Sequence, residues 1–148
     1  MTRLERYLSK EIGIEFKAGL YFLFILFFYC VCRIMEGNWN AGILHMTEMI
    51  LLTYGMGYFQ LFCLNNFDEG ERLGLREVFY ILLCAGIYTL VAWICKWFDN
   101  SLLLLFFFLY LCLGYVCAYW LYKVKRDLDS KALNGELKEF QERNKEVD

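Results

Sequence analysis

Residues 102–122 read LLLLFFFLYLCLGYVCAYWLY, 21 positions without one Asp, Glu, Lys or Arg. At 1.5 Å per residue a helix of that length measures about 31 Å, the thickness of a bilayer's hydrocarbon core. A soluble domain of 148 residues cannot bury such a segment along with the chain's other apolar blocks, because a small domain keeps a large share of its surface wet. This stretch therefore sets the fold class as helical and membrane-spanning, and the rest of the chain is read outward from it.

Directly upstream, residues 96–101 (KWFDNS) form a turn too short for anything but an antiparallel hairpin with the apolar block before it, 78–95. Two further blocks, about 16–35 and 43–64, precede the charged loop 65–77 (NNFDEGERLGLRE). The expectation is an all-α integral membrane four-helix bundle with spans at about 16–35, 43–64, 78–95 and 102–122, so that residues 1–122 form one transmembrane domain. Residues 123–148 form a polar tail. Leu4, Tyr7, Leu8, Ile12 and Phe16 recur at helical spacing, with Arg3, Arg6, Lys10 and Lys17 mostly on the other side. That pattern predicts an amphipathic helix lying in the interface ahead of the first span. The apolar run that follows has no small-residue cleavage site, so it reads as a span and not as a secretory signal.

Composition agrees. Of 148 residues, 59% are hydrophobic and 20% aromatic, and there is no proline. A net charge of −2 excludes the basic surface that direct nucleic-acid binding requires. Seven cysteines lie in or beside the apolar blocks, where cysteine acts as a small hydrophobe. Cys30-Val31-Cys32 lacks the spacing of a thiol-redox pair. No phosphate-binding loop, nucleophile elbow or metalloprotease motif occurs, and the single histidine excludes most triads. No catalytic residue, cofactor or metal is expected, and the chain reads as a non-enzyme.

Orientation follows from the basic residues. With the N-terminus inside, segments 1–17, 65–77 and 123–148 hold 13 of the 15 Lys and Arg residues, against Arg33 and Lys96 outside. Both termini are then cytoplasmic. Trp39, Trp93 and Trp97 mark the outer interface, and Tyr119, Trp120 and Tyr122 the inner one.

Several residues stand out as candidates. Glu48 lies about 7 Å inside the second span, with His45 one turn earlier on the same face. An ionisable residue there is either a proton or cation site, or a structural tie to a neighbour such as Arg33 or Lys96. Small residues mark helix contacts: Thr53 and Gly57, Gly55 on the face of Glu48, Ala85, Thr89 and Ala92, and Gly114 with Ala118. They serve either the chain's own bundle or a homo-oligomer. Asp68, Glu69, Glu71, Arg72 and Arg76 in the charged loop form either a solvated connector or a docking surface. In the tail, Leu133, Leu137 and Phe140 make a stripe at i, i+4, i+7, in a helix that Gly135 should interrupt. The stripe is free to dock on a partner, on the membrane surface or on the chain's own N-terminal helix.

Taken together, the Glu48-Met49 pair, the acidic loop leading into LGLREVFYILL (73–83), the aromatic turn before the last span and the Ala132-Leu133-Asn134-Gly135-Glu136-Leu137 core of the tail are similar to a bacterial family. Its members are small four-span membrane proteins often encoded beside LytTR-type DNA-binding regulators. The resemblance covers about residues 16–140. It implies a multi-pass protein of the bacterial cytoplasmic membrane that binds and restrains a LytTR-type transcription regulator, with no catalytic residue. The alternative from a different class is a small proton-coupled transporter or channel subunit that uses Glu48.

Overall fold

A computed structural model describes residues 2–65, 67, 70 and 72–147. Among these the chain is all-α, with helices α1 (Arg3–Met35), α2 (Ile43–Cys63), α3 (Leu75–Ile94) and α4 (Ser101–Val147). Three of them, α1, α3 and α4, are long and apolar enough to cross a membrane. Only 28% of the most apolar stretch in each is buried inside the protein, so these helices present most of their Leu, Phe and Ile side chains outward. That inversion is what lipid as a solvent permits. α2 carries His45, Glu48 and Gln60, and its most apolar stretch is less apolar than that of each of the other three.

Each helix begins and ends for a local reason. Thr2 and Glu5 form a capping box at the start of α1: Glu5 N–H donates to Thr2 Oγ1 (3.3 Å) and Thr2 N–H to Glu5 Oε2 (2.9 Å). At its far end Gly37 takes φ +76°, and the Asn38 and Gly37 amides close onto the Arg33 and Ile34 carbonyls. This is a Schellman stop, in which glycine removes the steric cost of the left-handed residue. α3 ends in the same motif, with the Trp97 amide on Ala92 O (3.0 Å) and the Lys96 amide on Trp93 O (3.3 Å). There the left-handed residue is Lys96, at φ 53°. The Asn100 side chain accepts from Leu102 N–H (3.0 Å) and starts α4.

The helices pack as two antiparallel hairpins, α1 with α2 and α3 with α4, joined mainly where α1 meets α4. Aromatic rings fill that seam. Phe24 stacks on Tyr110 with centroids 4.0 Å apart and planes 9° from parallel, and Tyr21 packs on Tyr115 at 4.9 Å. Phe28 touches Phe98, Phe107 and Tyr110. The buried core contains Ile25, Tyr29, Met49, Cys84, Tyr88, Phe107, Leu111 and Tyr115.

Two expectations about helix ends are corrected. The N-terminal amphipathic segment is not a separate interfacial helix. It is continuous with the first apolar block, because nothing between Arg3 and Met35 breaks the helix, and Gly13 and Gly19 are single glycines whose cost is about 1 kcal/mol each. Gly135 likewise does not interrupt the tail, which continues α4 to Val147. Ala132, Leu133, Glu136, Leu137 and Lys138 around it are strong helix formers and outweigh one glycine. α4 is thus 47 residues long, about 70 Å at 1.5 Å per residue.

Candidate functional site

Glu48 sits near the start of α2, and its carboxylate is a meeting point. Oε2 lies 3.1 Å from His45 Nδ1 and accepts a 2.8 Å hydrogen bond from Trp97 Nε1. The sequence correctly placed His45 beside Glu48. It misassigned the remaining partner: neither Arg33 nor Lys96 reaches the carboxylate, and Arg33 pairs instead with Glu36 at 3.5 Å. The reason is the Schellman turn at Lys96. Its left-handed residue swings the next one, Trp97, back over the end of α3. Trp97 is 2% exposed, so it lies beneath the surface and is not an interfacial marker. Trp39 and Trp93 are exposed as expected, whereas Tyr119 at the other end is buried. A turn without glycine gave no sequence cue to this geometry.

A second polar tie lies deeper and was missed. Gln60 is 1% exposed, and its Nε2 donates to Tyr115 Oη at 2.6 Å and lies 4.0 Å from Cys84 Sγ. It links α2 to both helices of the other hairpin. Its Oε1 has no partner among the described residues, which leaves a buried carbonyl at a cost of about 1–3 kcal/mol. The available signal was an amide in a block of Phe, Leu and Cys.

The small residues divide. Thr53, Gly57, Ala85, Ala92, Gly114 and Ala118 are buried within the chain. A Cβ on Gly114 would sit 2.3 Å from Phe24 Cε1, and one on Gly57 3.2 Å from Ile14 Cγ2, so both glycines permit close helix contact. Gly55 is a correction. It is exposed, and a Cβ there would meet nothing within 4 Å, so the face it shares with Glu48 is not packed along its length.

The charged loop and the tail meet at one point. Arg126 Nη2 donates to Gly70 O at 2.8 Å, and Phe67 is buried against Tyr80 and Tyr115. Arg72 and Arg76 are exposed, and Arg76 pairs with Glu77 at 3.1 Å. Asp68, Glu69 and Glu71 lie outside the described residues. Beyond Arg126 none of the described residues covers the tail: Asp127 to Val147 are exposed throughout. Leu133, Leu137 and Phe140 are 68%, 55% and 59% exposed, so the stripe does not pack on the N-terminal helix. It begins seven residues past Arg126, about 10 Å along the axis, so loop and stripe are separate surfaces.

Among the described residues no group of His, Cys, Asp and Glu is arranged to hold a metal, and Cys30, Cys32, Cys63, Cys84, Cys95, Cys112 and Cys117 are free thiols. Cys30 and Cys32, two apart on a helix, point to different sides of α1.

The class this architecture defines is an all-α protein of four helices among the described residues, three of them fit to cross a membrane. Compared with known proteins, the chain matches no family model, no curated protein and no solved structure.

Proposed function

We propose that this chain is a four-span protein of the bacterial cytoplasmic membrane whose C-terminal helix holds a soluble LytTR-type transcription regulator at the membrane. The observation that carries this reading is the tail. A helix of 21 residues, 127–147, projects from the last apolar block with every side chain exposed. It nonetheless keeps Leu133, Leu137 and Phe140 on one face. A helix that packs on nothing gains little from such a stripe, whereas a groove on a partner gains an anchor at each position. The charges around the stripe are balanced, seven basic and seven acidic over 123–148, which favours a protein groove over an anionic membrane surface. The regulator class comes from the resemblance in the loop and tail.

The fourth span and the orientation belong to the same proposal. α2 is 21 residues, about 31 Å, and pairs with α1 through a seven-residue loop, 36–42. Its polar groups find partners inside the protein, Glu48 with Trp97 and Gln60 with Tyr115, which lowers the cost of placing them at membrane depth. The bias of Lys and Arg puts both termini in the cytoplasm. Proton-coupled transport is less well supported, since Glu48 Oε2 already serves as an acceptor for a buried indole.

Crosslinking and affinity capture from native membranes tests the proposal. The full chain should retain a DNA-binding regulator, and a chain ending at Arg126, or one with Leu137→Asp, should lose it. Capture of no regulator by the full chain, or equal capture by the truncated one, refutes it. Flux that disappears in Glu48→Gln would favour transport instead.

A further inference from the structure

α3 and α4 are both long and apolar enough to cross a membrane, and residues 95–100 join them, so this turn lies at a membrane surface. A groove of about 470 Å³ opens there between the two helix ends. Its walls change character with depth. Trp93, Ile94 and Leu104 form the part nearer the bilayer, and Lys96, Asp99 and Ser101 form the rim. Leu104 is three residues past Ser101, about 4.5 Å of helix, so the change falls within one turn. Ile94 and Leu90, one turn apart on one face of α3, are 63% and 55% exposed and carry the apolar wall about 6 Å deeper. The exposed Trp93 ring stands at the boundary, where an indole's apolar body suits acyl chains and its N–H suits headgroups.

The rim carries one cation and one anion, Lys96 and Asp99. Both are exposed, yet among the described residues neither side chain has an ion-pair or hydrogen-bond partner. The turn holds them apart: Lys96 is the left-handed residue that stops α3, and the buried rings of Trp97 and Phe98 follow it before Asp99. The other charged side chains near this end are engaged, Glu48 with His45 and Trp97, and Arg33 with Glu36. A neutral rim with its two charges unpaired, over an apolar groove, complements a headgroup that bears both a phosphate and an ammonium.

We propose that the groove between α3 and α4 binds one zwitterionic aminophospholipid of the surrounding leaflet, of the phosphatidylethanolamine class. The Lys96 ammonium and the Ser101 hydroxyl donate to the phosphate, and the Asp99 carboxylate accepts from the lipid's primary ammonium. An acyl chain lies along Ile94 and Leu90. The site is the same whichever leaflet holds this turn. It sits at the opposite end of α4 from the polar tail, so it does not depend on what the tail binds.

Native mass spectrometry of the full chain in detergent, with added phosphatidylethanolamine or phosphatidylglycerol of matched acyl chains, tests the site. The two lipids share the phosphate and differ in whether an ammonium meets Asp99. One phosphatidylethanolamine should be retained about threefold more than phosphatidylglycerol, the preference that one exposed ion pair gives. Asp99→Asn should bring the two lipids level, and Lys96→Gln should lower retention of both. Glycerophosphoethanolamine, the same headgroup without acyl chains, should not be retained. Lys96 and Asp99 are exposed, so neither change removes a buried contact, and unchanged far-UV circular dichroism verifies this. Equal retention of the two lipids by the unmodified chain overturns the proposal. So does a preference that survives Asp99→Asn, undiminished retention in Lys96→Gln, or glycerophosphoethanolamine held as firmly as the lipid.

Discussion

The tie between Glu48 and Trp97 should be energetically coupled, and its size follows from who is left alone when it breaks. Glu48→Ala removes the acceptor 2.8 Å from the Trp97 indole N–H, and that nitrogen belongs to a residue only 2% exposed. An orphaned buried donor costs about 1–3 kcal/mol, and a hydrogen bond to a charged acceptor is worth about 1.5–3. Glu48→Ala should therefore destabilise by about 2 kcal/mol. Trp97→Phe leaves the carboxylate less exposed to penalty, because the Glu48 side chain is 28% accessible and keeps His45. Its cost comes largely from the missing ring. In the double variant the orphaned indole is gone, so the losses should fall short of additive by about 1–2 kcal/mol, a factor of about 5–30 in the folded-to-unfolded ratio. Glu48→Gln keeps a carbonyl acceptor without its charge and should lie between wild type and alanine. The assay is reversible unfolding in mixed micelles, followed by far-UV circular dichroism, for the four members of the cycle. A coupling below about 0.5 kcal/mol, within the additivity of independent sites, refutes the reasoning.

Three substitutions of glycine, and one to glycine, should differ in sign for stated reasons. Gly114→Ala drives a Cβ into the Phe24 ring and should cost about 1–3 kcal/mol, whereas Gly55→Ala meets nothing and should be neutral or stabilising by up to about 1 kcal/mol, both read in the same unfolding assay. Lys96→Gly removes a side chain from a left-handed residue and should stabilise by about 1 kcal/mol; destabilisation would mean that the Schellman turn does not place Trp97. Gly135→Ala should slow amide exchange across 127–147 by about fivefold, the equivalent of about 1 kcal/mol of helix propensity, and leave exchange in the apolar blocks unchanged.

Much of the architecture was legible because lipid imposes a coarse rule. Uncharged blocks of about 20 residues with short connections leave few arrangements, and α1, α3 and α4 appear where those blocks lie. Helix ends were less legible, since charged flanks do not stop a helix. Lys17 and Lys123 read as borders in the sequence, yet α1 and α4 run straight past them. His45 and Glu48 were paired by periodicity alone. Trp97 was not, because its position depends on one left-handed lysine, and Gln60 was not, because its partner Tyr115 lies 55 positions away. Contacts within a helix are written in the spacing of its residues; contacts between hairpins depend on rotations that spacing leaves undetermined.

That distinction bears on how the two hairpins hold together. Between apolar helices in lipid the hydrophobic effect supplies no preference for one partner over another, so specificity falls to close packing and to hydrogen bonds. The seam uses both. Phe24 seated over Gly114 fixes one spacing of α1 and α4, and Tyr110 Oη donating to Phe24 O at 2.9 Å fixes their register along the axis. Glu48 with Trp97 ties α2 to the α3–α4 turn at one end of the bundle, and Gln60 with Tyr115 ties it to α4 nearer the other. Arg126 on Gly70 then closes the connection between α2 and α3 against the first turn of the polar tail. A force acting on the tail therefore meets a helix that continues into this register without a break.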